Sequence, residues 1–165
     1  MAINEAFIGE LQHEAATTRK VLERIPTETF DWKPHEKSMS MHTLATHVAE
    51  MFGWYVPTLE QDELDFAKGY QEAKPANTEE LVALFDKNVA AATESLKKTD
   101  AAAFMRNWTL RNGEEVYFTM PKAAVVRTFV MNHIVHHRGQ LSVYLRLNDI
   151  PVPSIYGPSA DEQKF

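Results

Sequence analysis

The sequence predicts an all-α fold of four helices, and three observations predict it. Four separate segments repeat their apolar residues at three- and four-residue spacing, the mark of a helix with one buried stripe. Pro26, Pro34, Pro75, Pro121 and Pro151 fall at or between the ends of those segments, where a missing N–H costs least. Only residues 101–118 break the pattern, and they are too few for more than a hairpin. Residues 1–165 read as one domain, long enough to bury a core.

The first helix is expected from Ile3 to Arg24, with Phe7, Leu11, Ala15, Thr18, Leu22 and Ile25 on one stripe. A connector from Thr27 to Met39 follows, in which Phe30 and Trp32 should tuck against the helices. Ser40 is the expected N-cap of a second helix over Met41 to Leu59. Its stripe is Leu44, Val48, Met51 and Tyr55, and His47 lies on it. A long connection passes Gly69 and Pro75. Asn77 and Glu80 then resemble a capping box opening the third helix, with its stripe at Leu81, Phe85, Val89, Ala92 and Leu96. Trp108 to Leu110 and Val116 to Phe118 flank Asn112-Gly113, a turn signal, so a short β-hairpin is expected before the last helix. That helix should open near Pro121 and end at Leu147, before Asn148 and Pro151, on the order of 40 Å at ~1.5 Å per residue. The segment from Pro151 to Phe165 is either an ordered cap or a loose end.

Composition excludes several functions. A net charge of −6 with scattered Lys and Arg argues against nucleic acid. No run of about eighteen apolar residues spans a membrane, and Met1 to Ala6 lacks the features of a signal peptide. The absence of cysteine fits a cytoplasmic protein and limits any metal site to His, Asp, Glu and water.

Three of the seven histidines stand within five residues, in Asn132-His133-Ile134-Val135-His136-His137-Arg138-Gly139-Gln140. His133 and His137, one turn apart, share a helix face. The row Val126, Val130, His133, His137, Leu141, Tyr144 is apolar apart from these two. The row Phe129, Asn132, His136, Gln140, Val143 is more polar. His133 and His137 are therefore the inward pair, with His136 about 100° away. With His47 they make three neutral imidazoles able to converge on one divalent ion. The competing readings are a hydrogen-bonded core histidine at His47 and a coincidental pair on the last helix. Binding should weaken below about pH 6 as the imidazoles protonate.

His13, His35 and His42 read as surface or loop residues. Glu50, three residues after His47, is a catalytic candidate that would reach a metal-bound water; the alternative is an exposed helical carboxylate. Asn132 and Gln140 either orient imidazoles or are merely solvated. Trp54, Tyr55 and Tyr144 either wall a pocket or fill the core. The His-Glu-x-x-His pattern of zinc peptidases is absent. Glu10 and His13 give only one of the two Glu-x-x-His motifs that a di-iron bundle needs.

These residues carry a family resemblance. Leu44-Ala45-Thr46-His47-Val48-Ala49-Glu50, His133 to Gln140 and the closing Pro151 to Ser159 resemble the DinB/YfiT-like family of metalloproteins in order and spacing. The resemblance implies a four-helix bundle of up-down-down-up topology, often a homodimer. It implies a three-histidine site at His47, His133 and His137 for zinc or nickel, with iron or manganese as further choices. It also implies an enzyme of small molecules, either a transferase moving a low-molecular-weight thiol such as bacillithiol or mycothiol onto an electrophile, or a hydrolase. The alternative function is a non-catalytic metal-binding stress or sensor protein.

Overall fold

The computed structural model describes residues 2–163. Its elements are α1 (Ile3–Leu22), α2 (Met41–Met51), α3 (Tyr55–Glu60), β1 (Glu63–Asp65), α4 (Thr78–Lys98), β2 (Asn107–Asn112), β3 (Glu115–Pro121), α5 (Lys122–Ala124) and α6 (Asn132–Leu147). A π-helical stretch, Val125–Met131, joins α5 to α6 as one continuous rod. Among the described residues no helix is long and apolar enough to cross a membrane.

Local chemistry sets the helix starts. The Glu5 carboxylate accepts from the Ala2 backbone N–H at the head of α1. Ser40 Oγ accepts from Thr43 N at 3.1 Å to cap α2, and Asn77 Oδ1 accepts from Glu80 N at 2.9 Å to cap α4. Each satisfies an N–H that has no partner inside its helix.

The expected stripes are the core: Leu11, Leu22, Leu44, Val48, Met51, Tyr55, Leu81, Phe85, Ala92 and Leu96 are all buried. Contacts fix the topology. Thr78, at the head of α4, bonds Thr27 and the Ile25 carbonyl just beyond α1, so α1 and α4 are antiparallel. His42, at the head of α2, donates through Nε2 to the Pro75 carbonyl, so α2 and α4 start together. Tyr144, near the end of α6, donates to the Met39 carbonyl, which makes α6 antiparallel to α2. Arg127 and Arg138 meet Glu10 and Glu14 in step, which makes α6 parallel to α1. The result is a four-helix bundle of up-down-down-up order.

Three features depart from the sequence expectation. The second helix breaks after Met51 into a 3₁₀ turn, Phe52–Trp54, before α3. Pro57 cannot donate to the Gly53 carbonyl and its ring would clash there, so an unbroken helix is excluded. Gly53 also accommodates Asn88, whose Cγ would lie 3.2 Å from a Cβ at that position. The hairpin turn is centred one residue later than Asn112-Gly113: Asn112 pairs with Glu115, leaving Gly113-Glu114 as the loop. Gly113 has φ +59 and Glu114 does not share a positive φ, the pattern of a II′ turn with glycine first. Finally, β1 adds a parallel third strand beside β2.

Two buried cations lock the bundle. Lys122, 1% exposed, donates to the Leu59 carbonyl at 2.9 Å and to the Gln61 carbonyl, closing the end of α3. Arg138, also 1% exposed, donates to Glu14 Oε2 at 2.6 Å, to Thr18 Oγ1 at 3.2 Å and to the Tyr156 hydroxyl. Tyr156 donates in turn to Glu14, and the Arg24–Glu162 ion pair holds the segment further along. Residues 151–163 are therefore an ordered cap.

Removing one partner of a buried ion pair leaves an uncompensated charge, at a cost of about 3–5 kcal/mol. Arg138→Ala and Glu14→Ala should each lose that much in urea unfolding, and Arg138→Met with Glu14→Leu should lose less than either. Single losses under about 1 kcal/mol would mean that water reaches the pair.

Candidate metal centre

The last bundle helix sits at a corner and faces two neighbours. Its stripe Ile134, Arg138, Leu141, Leu145 is buried, with Arg138 directed to α1. The adjacent stripe of His133, His137 and Tyr144 is half-buried and faces α2. The row drawn from sequence through the two histidines is thus the α2-facing flank, and the deepest line runs one residue further on. The reason is the corner position, which buries two stripes at once.

His47, half-buried on α2, lies opposite. Its ring centroid is 5.2 Å from that of His133 and 4.9 Å from that of His137, and the latter two are 4.6 Å apart. One nitrogen from each ring lies within 4.8 Å of the others, and no carboxylate joins the group among the described residues. Nitrogens bound to one ion at about 2.1 Å stand at most about 4.2 Å apart. A closure of a few tenths of an ångström by side-chain rotation therefore suffices, and the three residues fit a divalent ion.

Neighbours fix how the rings are presented. His137 Nδ1 lies 2.6 Å from Gln140 Oε1, so Nδ1 carries the proton and Nε2 is left to ligate. The Phe129 backbone bonds the His133 ring. Of the two residues read as possible orienting groups, Gln140 is one, and Asn132 is exposed. His136 is exposed and outside the group.

The rings are held neutral. Burial pushes His47 down to about 4, helped by the charges of His137 and then His133. Burial also lowers His133 and His137; beside it, His137 and His136 lower the first, and the Gln140 bond opposes the shift in the second. Neutral imidazole is the form that ligates.

An aromatic wall closes one side. Trp54 sits edge-on to His47 at 5.6 Å and stacks on Phe129 at 5.2 Å and 17°. Phe129, which sequence reasoning left on the polar row, is 5.9 Å from His133; its place four residues before that histidine was the available signal. The 3₁₀ turn brings Trp54 to this position. On the other side Tyr144 lines a cavity of about 150 Å³ with Ser38, Met39, Leu44, His137 and Gln140. Tyr55 is core and lines neither cavity.

Glu50 is committed elsewhere. Its two oxygens accept from Tyr70 Oη and the Ala73 backbone N–H, each at 2.7 Å, and Tyr70 is bonded by Trp54. It thus anchors the loop before α4 and braces the wall, instead of lying exposed or facing the histidines. His42 is likewise bonded to Pro75 and packed on Phe30 at 4.9 Å, so it is no free surface residue.

A family model described as the DinB family matches residues 1–164. Two Bacillus subtilis proteins are similar along their length. YrdA is 24% identical over 160 residues, covering 94% of this chain and 89% of that one. YjoA is 24% identical over 153 residues, covering 88% and 91%. Both are uncharacterized proteins. Among solved structures, a DinB-like protein from Bacillus cereus superposes with TM-score 0.73 at 19% identity, over 92% of this chain and 97% of that one. The structure of YjoA gives 0.72 at 18% identity, over 97% and 99%. At these identities the structures speak for the fold.

Lowered histidines move the acid edge of metal uptake below the pH 6 expected from sequence. Three histidines of ordinary pKa would lose about fifty-fold in affinity between pH 7.5 and 6. Here the loss, read by competition with a chelator, should stay under about threefold, with the fall coming as pH drops toward 4, where His47 protonates. Apo stability should likewise be full above pH 6.5 and decline as pH falls toward 4, because the unfolded chain binds the protons first. His47→Ala, His133→Ala and His137→Ala should each abolish tight binding, Gln140→Ala should weaken it about 10–100-fold, and His136→Ala should leave it intact.

Proposed function

The chain belongs to the DinB family, and from that premise we propose that it is a divalent-metal-dependent enzyme acting on small molecules, with the ion on His47, His133 and His137. The observation that carries the reading is the three-imidazole group with no fourth protein ligand among the described residues. A nitrogen donor set suits zinc or nickel, with iron or manganese as further choices. An ion held by three protein ligands keeps an open position and lowers the pKa of a water or thiol placed there, supplying a nucleophile near neutral pH.

The chain's own groups do the rest. Gln140 and the Phe129 backbone hold the rings of His137 and His133 in the presenting orientation. Trp54 and Phe129 exclude water from one side. No carboxylate is placed to act as a base beside the histidines, since Glu50 is bonded to Tyr70 and Ala73. The proton of the incoming water or thiol therefore leaves to solvent. With a thiol, sulfur forms a bond to an electrophilic carbon as the leaving group departs with its electron pair; with water the same displacement is a hydrolysis. We favour a low-molecular-weight thiol as the co-reactant, a homodimer as the assembly and the cytoplasm as the location.

Protein purified without a histidine tag should contain one divalent ion per chain by elemental analysis. The cobalt-loaded form should change its visible spectrum on addition of a small thiol. Activity found with thiols and electrophiles should vanish in His133→Ala and persist in Glu50→Gln. Spectra indifferent to every added ligand would replace the enzyme by a non-catalytic metal-binding protein.

Apo protein should keep its helical circular dichroism, since the core is complete without the histidines; metal should raise Tm only by mass action. Loss of helix on removal of metal would make the ion structural.

A further inference from the structure

Two cavities flank the three histidines. The one beside His133 has a volume of about 390 Å³ and is lined by Thr128, Phe129, Asn132, His133 and His136. The one beside His137 holds about 150 Å³. The first lies within the size range of small-ligand pockets; the second admits only a few atoms. Neither is lined by a lysine, arginine, aspartate or glutamate.

The charges nearest the histidines along the chain are all committed to other partners. Glu50 is bonded to Tyr70 and Ala73. Arg127 pairs with Glu10 at 3.1 Å. Arg138 is buried against Glu14, Thr18 and Tyr156. A carboxylate or ammonium brought into these cavities would lose hydration and find no countercharge, and the net charge of −6 opposes anions further.

An apolar ring, by contrast, meets a prepared surface. Phe129 is stacked on Trp54 at 5.2 Å and backed by Phe118 at 5.3 Å and Trp108 at 6.4 Å. Trp54 is itself bonded to Tyr70. A ring held from three sides has little rotamer freedom left to lose when a ligand stacks on it.

We propose that the ground beside His133 takes an uncharged molecule bearing an aromatic ring, seated against Phe129, and discriminates against charged ligands of the same shape. The role of this molecule as the ligand or electrophile at the metal rests on the function proposed above; its recognition by the wall does not.

The test uses the cobalt-loaded full chain and three thiols: benzyl mercaptan, its 4-carboxylate analogue and 2-mercaptoethanol. Titrations follow the sulfur-to-cobalt absorption. Benzyl mercaptan should bind at least tenfold more tightly than either of the others. Phe129→Leu, which keeps apolar volume without the ring, should reduce that preference over 2-mercaptoethanol by roughly threefold to tenfold, at unchanged metal stoichiometry. A parallel measurement on apo protein adds benzyl alcohol or benzoate and follows the Trp54 indole N–H by NMR, expecting a saturable shift with the alcohol alone. Silence of all three thiols with a response to benzyl alcohol would defeat the functional reading and leave this inference standing. Equal or tighter binding of the carboxylate analogue, or no response of Trp54 to benzyl alcohol, would overturn the inference.

Discussion

A guanidinium with no access to water stands one residue beyond His137, and the arrangement of the site depends on it. Arg138 has to be satisfied inside the protein, because an unpaired buried charge costs several kcal/mol. Glu14 and Thr18 on α1 and Tyr156 beyond α6 supply the partners. These bonds allow α6 one rotation about its axis. In that rotation the neighbouring stripe, offset by one residue, must face α2, which is where His47 waits. The salt bridge thus acts less as a source of stability, which buried pairs rarely are, than as a device fixing which face of a helix looks where.

The same rotation explains why the histidines are only half-buried. Had they occupied the deepest line of α6, they would be enclosed by the core and no ligand would reach an ion on them. On the flank between α2 and α6, burial suffices to keep the rings neutral, with His47 pushed down to about 4, while cavities remain beside His133 and His137. Neutrality and access make opposing demands on exposure, and a corner helix meets both with adjacent stripes.

The parts of this fold that were legible in sequence are those governed by local period and local hydrogen bonds. The four apolar stripes, the caps at Ser40 and Asn77 and the existence of the hairpin follow from residues within a turn of each other. The three histidines were legible because a spacing of four on one helix and an apolar stripe on another constrain the answer from both ends. What escaped depends on partners far along the chain. Strand β1 is three residues long and exists only because β2 offers it an edge. Arg138 and Glu14 are separated by 124 positions, and each alone reads as a solvated charge. Glu50 looked free because Tyr70 and Ala73, which occupy it, lie in a connection without periodicity. The break after Met51 was readable in principle from Pro57 and Gly53; the apolar stripe running through to Tyr55 masked it.

That break is also what makes the site more than a pair of facing helices. An uninterrupted helix through residues 52–54 would turn Trp54 by the regular 100° per residue, with no reason to meet both histidine-bearing elements. The 3₁₀ turn instead delivers the indole against His47 on its own side and His133 across the groove, at 5.6 and 5.7 Å. The hairpin then braces Phe129 from behind through Phe118 and Trp108. The small sheet, which contributes no ligand to the histidine group, therefore has a function in the site: it holds the rings that keep water and charge away from one side of it. The metal-binding groups belong to the bundle, and the selectivity of what may approach them belongs to the irregular elements inserted between its helices.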